Sequence, residues 1–361
     1  MKNLLDVPFA EWGLALELGD KDAYRARQIL TAVFQRRVKS FPEMTDLPQA
    51  LRDRLAGSFR LRSLTLARRE ISAADGTSRL FFEAPDGGSF SAVLLPSRPG
   101  EDDEADPTEA GAKGRSARTG LCLSTQVGCA WGCVFCASGR VPFERDLTPA
   151  EILEQVFVAE EALGGRMSSL VFMGMGEPLA NFDNLLTALQ ALRSPLGFHF
   201  GARHVTVSTT GLAPQIVKLA ELAPKVNLAI SLHAADDETR RRVMPKSARW
   251  TIKELLHAAW EYQRITGGVR VTFEYIVIKG VNDSVREAQR LSNMLRGKKA
   301  WVNLIAYNPV PGLPYERPSE ETVAGIAKIL KDRGLFVHLR KPQGVDITAG
   351  CGQLGAPQMI K

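Results

Sequence analysis

Cysteine is scarce in this chain, with five residues in 361, and long apolar runs are missing. No stretch approaches the ~18 consecutive apolar residues of a membrane-spanning helix, so no membrane segment is expected. The opening segment, Met1 to Asp22, carries acids and lacks the apolar centre of a cleavable leader. The expectation is therefore a cytoplasmic protein with reduced thiols, which excludes a disulfide framework. Paired CxxC units are absent too, so a four-ligand structural zinc site has no donor set. What is present suits a folded enzyme-sized chain: 45% hydrophobic residues and length for one large domain plus a smaller one. The net charge of +6 permits a polyanionic partner without demanding one.

Three of the five cysteines stand together in Gly128-Cys129-Ala130-Trp131-Gly132-Cys133-Val134-Phe135-Cys136. Thiolates at this CxxxCxxC spacing can hold three irons of a 4Fe-4S cubane and leave the fourth without a protein ligand. An open iron can take a small molecule directly. The spacing resembles that of radical S-adenosylmethionine (SAM) enzymes, in which that molecule is SAM and the cofactor supplies the difficult chemistry. Two cysteines are left over, Cys122 just upstream and Cys351 near the C-terminal end.

Along the chain, residues 1–60 read as a small helical domain. Ala23 to Leu30 places apolar residues at helical spacing with basic residues between them. A second helix is expected from Met44, capped by Thr45 or Asp46, with Pro48 in its first turn. Residues 61–96 read as strands, with Pro85-Asp86-Gly87-Gly88 as a hairpin turn. Residues 97–120 are Pro, Gly, Ala and charge, with six acids between Glu101 and Glu109, and read as a flexible loop. Residues 121–345 alternate strands with helices, and Thr148-Pro149-Ala150-Glu151 is a capping box. This alternation predicts an α/β fold built of parallel βαβ units, a partial barrel or an open sheet. Its active site is expected at the C-terminal strand ends. Residues 346–361 form a separate tail around Cys351.

Several predicted strands end in polar residues suited to a ligand. The first runs into Gly174-Met175-Gly176-Glu177-Pro178, where glycines admit close approach and a carboxylate or carbonyl can take an ammonium group. Others end at Ser208, at Ser231-Leu232-His233, and at Asn308. A serine there is often only a helix cap and a lone histidine often structural. Their collection at one end of the strands favours SAM contacts for Gly176, Glu177, Ser208, Ser231, Leu232, His233 and Asn308.

Taken together, Leu121 to Cys129, Met173 to Pro178, Leu228 to Ala234, Val302 to Ile305 and Asp346 to Leu354 resemble the RlmN/Cfr family of radical-SAM RNA methyltransferases. The resemblance covers nearly the whole chain. It implies a partial (βα) barrel core with an RNA-contacting helical accessory domain, a β-hairpin extension, and cluster ligands Cys129, Cys133 and Cys136. It implies that Cys351 becomes S-methylcysteine and that Cys122 later forms a transient disulfide with it, at two SAM per turnover. The product implied is an adenosine methylated at C2 in the RlmN branch, or at C8 in the Cfr branch. The RNA is 23S rRNA, with tRNA as a further target, and the electron donor is flavodoxin- or ferredoxin-like. Ser91 stands where the family has a glutamate that takes a proton. Glu83 and the acids of 101–109 are the candidate substitutes. A monomer is the default. The alternatives are a paralogue with another RNA target and a non-catalytic Fe–S RNA-binding assembly factor.

Overall fold

The computed structural model describes residues 1–96, 119–223 and 225–355. The acid-rich segment expected to be a loop, 97–120, lies almost wholly outside the described residues. The N-terminal part holds helices Tyr24–Phe34 and Gln49–Ser58, closed by the parallel pair β1 (Lys2–Asn3) and β2 (Phe59–Arg60). The second helix begins at Gln49, two or three residues after the start that a Thr45 or Asp46 cap implies. Pro48 sits outside it as the cap with ψ 141°, extended rather than helical. A proline also disfavours helical backbone at the residue before it, so the helix cannot start at Met44 and run through.

This helical part is docked on the rest by aromatic packing. Phe34 lies against Phe157 at 5.6 Å and Phe198 at 5.2 Å between ring centroids. Buried Glu154 accepts hydrogen bonds from Asn3 Nδ2 at 2.7 Å, the Ser63 amide at 2.7 Å and the Leu64 amide at 2.8 Å. A buried carboxylate is tolerated only when its oxygens are satisfied in this way.

Among the described residues the main sheet has ten strands. A meander of β3 (Thr65–Ile71), β4 (Ser78–Glu83) and β5 (Ser89–Leu95) is antiparallel. Its β4–β5 turn uses Gly87 at φ 88°. Next comes β6 (Gly120–Cys122), antiparallel to β5 but parallel to β9 (Ser169–Phe172), so meander and core share one sheet. Parallel strands β10 (Val205–Thr209), β11 (Asn227–Ser231), β12 (Val271–Val277), β13 (Ala300–Ala306) and β14 (Phe336–Arg340) complete it. The two edges, β3 and β14, do not pair with each other, which makes the α/β architecture a partial barrel rather than a closed one.

Among the described residues seven helices connect or cover the parallel strands: Pro149–Leu163, Phe182–Arg193, Ala213–Leu222, Asp237–Val243, Ile252–Thr266, Val285–Leu295 and Glu320–Asp332. The first starts as its capping box predicts, with Thr148 and Glu151 bonded reciprocally, and stops at Gly164 in the left-handed region. With helices on the sheet, strands such as β12 are buried on both faces and read as nearly unbroken apolar runs. No helix among the described residues is long and apolar enough to cross a membrane.

Candidate active site

The cysteine loop hangs between two short strands, β7 (Gln126–Val127) and β8 (Arg145–Asp146), which pair antiparallel. Gly128 turns the chain at φ 74°, and a Cβ there would fall 1.8 Å from the Pro142 carbonyl oxygen. Gly176, at φ 103°, lets the strand-end turn pass Gln126, whose Cβ would stand 2.6 Å from any added Cβ. Both glycines are therefore required by close backbone approach. Amide bonds fix the loop: Cys129 N to Val141 O at 3.2 Å, Val134 N to Val243 O at 3.0 Å and Ala137 N to Gly352 O at 2.7 Å. The last joins the cysteine loop to the segment carrying Cys351.

Cys129, Cys133 and Cys136 border one cavity of about 830 Å³ of empty space. Burial raises all three thiols, Cys129 to about 11 and Cys133 well above the ordinary value, and mutual repulsion adds to it. Iron reverses that logic, because a coordinated thiol gives up its proton. No three described side chains converge on one point as ligands of a single metal ion would. Sulfurs spread around a cavity suit the corners of a multi-iron cluster.

The same cavity is bordered by Gly176, Glu177, Ser208, Ser231 and His233. Glu177 points inward to the protein: its carboxylate accepts from the Leu179 amide at 2.9 Å and the Thr210 amide at 2.6 Å. His233 has φ 56°, and its Nδ1 accepts from the Ile276 amide at 3.0 Å, which leaves the proton on Nε2. Burial, aided by the Arg240 charge, holds its pKa down to about 3, so the ring is neutral. Its edge packs on Phe135, inside the cysteine motif, at 4.9 Å. Leu232 is fully buried in the core and meets the neighbouring strand through its amide, 3.1 Å from Glu274 O.

Two charged residues in this region went unread in the sequence. Glu274, 4% exposed, borders the cavity from β12, and its Oε2 has no hydrogen-bond partner while Oε1 accepts from Asn303 at 2.8 Å. A buried carboxylate oxygen left without a donor calls for a ligand that brings one. SAM carries an ammonium group and ribose hydroxyls, so the residues present fit it. Arg340, at the end of β14, borders the same cavity, and its charge offsets part of the rise that burial imposes on the Cys351 thiol.

A second cavity, about 1050 Å³ of empty space, adjoins the first. Cys122, Val93, Asn308 and Lys341 border it, and Cys351 borders both cavities. Asn308 therefore lies on the Cys122 side, donating to the Cys351 carbonyl at 3.2 Å and accepting from Arg317 at 3.1 Å. Cys122 sits in the sheet between Val93 of β5 and Val171 of β9. Ser91 borders neither cavity. It is 1% exposed, and its hydroxyl accepts from Arg79. Glu83 is exposed on the far part of the hairpin.

The chain matches two family models: the radical SAM superfamily over residues 123–291, and the ribosomal RNA large subunit methyltransferase N-terminal domain over residues 2–61. It is 41% identical over 332 residues to the probable dual-specificity RNA methyltransferase RlmN of Akkermansia muciniphila, covering 92% of this chain and 89% of that protein. It is 40% identical over 357 residues to the dual-specificity RNA methyltransferase RlmN of a Nitratiruptor species, covering 98% of each. A crystal structure of a radical SAM methyltransferase from Sphaerobacter thermophilus superposes with a TM-score of 0.87 at 39% identity, covering 99% of this chain and all of that one. Radical SAM enzymes use a 4Fe-4S cluster and SAM, which agrees with the donor set bordering the first cavity. The chain belongs to the RlmN family of radical-SAM RNA methyltransferases.

Proposed function

We propose that this protein methylates C2 of an adenosine in 23S rRNA, and also in tRNA, through a methyl group carried on Cys351. The observation that carries this reading is the place of Cys351, at the junction of a cavity bordered by the cysteine triplet and another bordered by Cys122. An adenine entering the second cavity meets the carrier sulfur on one side and the resolving sulfur on the other. Such a base must leave its stack, which favours a loop or other unpaired RNA. The helical part at 1–60 is read as the RNA-contacting accessory domain.

Cys129, Cys133 and Cys136 hold the cluster, and Ser208, Ser231, His233 and the turn at Gly176-Glu177 bound the SAM site. When bound, cluster and SAM supply a 5′-deoxyadenosyl radical after one electron from a flavodoxin- or ferredoxin-like donor. A ring carbon of adenine between two nitrogens is not nucleophilic, so a methyl carrier with an activated C–H bond is needed. Cys351 presents that methyl. Cys122 then attacks the Cys351 sulfur and breaks its bond to the transferred carbon, which keeps the electron pair and takes a proton to become the methyl group on the base; the two sulfurs are left as a disulfide that a reductant must reset.

Burial, with Cys351 beside it, pushes the Cys122 thiol up to about 12. Below that value the thiolate fraction rises roughly tenfold per pH unit. The release step, followed in a single turnover of premethylated protein, is expected to accelerate through the neutral range without levelling near the ordinary thiol value of about 8.5. A plateau there would mean that a thiol of ordinary acidity, not the buried Cys122, resolves the adduct.

Nucleoside mass spectrometry of rRNA and tRNA from a strain lacking the gene tests the assignment. 2-Methyladenosine should vanish from both and return on complementation. Loss of 8-methyladenosine instead would place the chemistry at C8, and an unchanged methyladenosine profile would overturn the activity.

A further inference from the structure

Arg79, on β4, is 1% exposed and ion-pairs with no described carboxylate. Glu70, whose charge it feels, is taken by Arg68 at 2.9 Å. Its guanidinium is nonetheless saturated. Nη1 donates to the Thr348 carbonyl and to Thr348 Oγ1, both at 2.9 Å. Nη2 donates to the Leu354 carbonyl and, at 3.2 Å, to Ser91 Oγ, which also accepts from Nε at 3.3 Å. An arginine offers five N–H donors, and all five are used here.

A guanidinium buried with no counter-ion among the described residues is expensive, and an apolar side chain would fill the space at less cost. What the charge gains is a rigid fork with two carbonyls in its grip. Thr348 and Leu354 stand three residues before and three after Cys351. Thr348 is itself in the left-handed region at φ 52°, an uncommon state for a β-branched residue that surrounding contacts must impose. The turn between β3 and β4 adds two more holds on the same segment. Asp75 accepts from the Gly344 amide at 2.9 Å, and Ser72 Oγ donates to Asp346 at 2.7 Å.

We propose that Arg79 is a positioning residue for Cys351. By holding both flanks of the turn, it keeps the sulfur at the junction of the two cavities, with the Ser91 hydroxyl as the uncharged acceptor that aims the fork. The inference rests on the reading of Cys351 as the methyl carrier. It gives Ser91 a use different from the proton transfer expected of a glutamate at that place.

The test uses the full cluster-loaded chain with Arg79→Met and Arg79→Lys. Amide hydrogen exchange over 348–354, and the alkylation rate of Cys351 relative to Cys122, are read by peptide mass, with bound iron as the control. In Arg79→Met both should rise about tenfold or more, as loss of charge-assisted bonds implies, while exchange in β9 to β13 and iron content hold. Arg79→Lys should fall between, because it keeps the charge without the fork. It also carries the test if the methionine variant does not fold. Unchanged exchange and alkylation in a folded variant, or a loss of protection spread evenly over the sheet, would overturn the inference. The carrier reading is checked apart: wild-type protein given SAM should gain one methyl on Cys351. If it gains none, that reading fails and this one with it. If it does and Arg79→Met leaves the 348–354 segment as protected as before, only the role of Arg79 falls.

Discussion

Cys351→Ala is expected to abolish RNA methylation, by about 10⁴-fold or more, because no other side chain can take over a covalent carrier. The variant should keep its iron and still cleave SAM to 5′-deoxyadenosine when reduced, since the cysteine triplet and the other residues bordering its cavity are untouched. The physical reason is the division of labour between the two cavities. On the proposed reading one side generates the radical and the other admits the base, and Cys351 borders both, beside Cys122 in the second cavity, which Cys136 of the triplet also reaches. Methylated RNA from Cys351→Ala at more than a trace would show that the methyl travels without this sulfur. Loss of iron in the same variant would instead make Cys351 part of the cluster's support.

Cys133→Ala should produce a different failure. Burial raises the Cys133 thiol well above its ordinary value, and its neighbour Val134 is fixed to Val243 at 3.0 Å. A cubane left with two thiolates is not retained, so iron should fall from about four per chain to a small residue. The visible absorption and the EPR signal of the reduced cluster should disappear, and SAM cleavage with them. The fold should persist, because no buried member of the main core cluster lies in 129–136, and Phe135 and Ala137, which pack with Ile276 and Ile305 in a smaller cluster, are unchanged. A Cys133→Ala protein that keeps its cluster and cleaves SAM would sink the ligand assignment. The two variants thus separate radical generation from methyl delivery.

Much of this was readable in the sequence, for reasons that differ by element. The alternation over 121–345 announced itself because central strands such as β11 and β12 are buried on both faces, which demands mostly apolar residues. The opposite holds for β3. Thr65-Leu66-Ala67-Arg68-Arg69-Glu70-Ile71 is an exposed edge paired on one side, so no face of it needs to be apolar and no period appears. The cysteine triplet is local in sequence and visible at once. The site's charged residues are not. Arg79 meets partners 269 and 275 residues away, and nothing in its neighbourhood hints at them. Glu274 did leave a signal, a carboxylate in the middle of Val271-Thr272-Phe273-Glu274-Tyr275-Ile276-Val277, where burial alone would exclude it. Leu232 and Asn308 show the limit of reading by strand end. One is core, and the other turns into the Cys122 cavity.

The hold of Ser72, Asp75 and Arg79 on residues 344–354 also bears on how the molecule is made. During translation the hairpin leaves the ribosome early and the segment it grips leaves last among the described residues. Contacts at such separation close late in folding. Through most of synthesis the triplet loop is therefore exposed on its Gly352 side, open to whatever delivers iron and sulfide. The nascent chain can be loaded before the turn around Cys351 arrives to shut it.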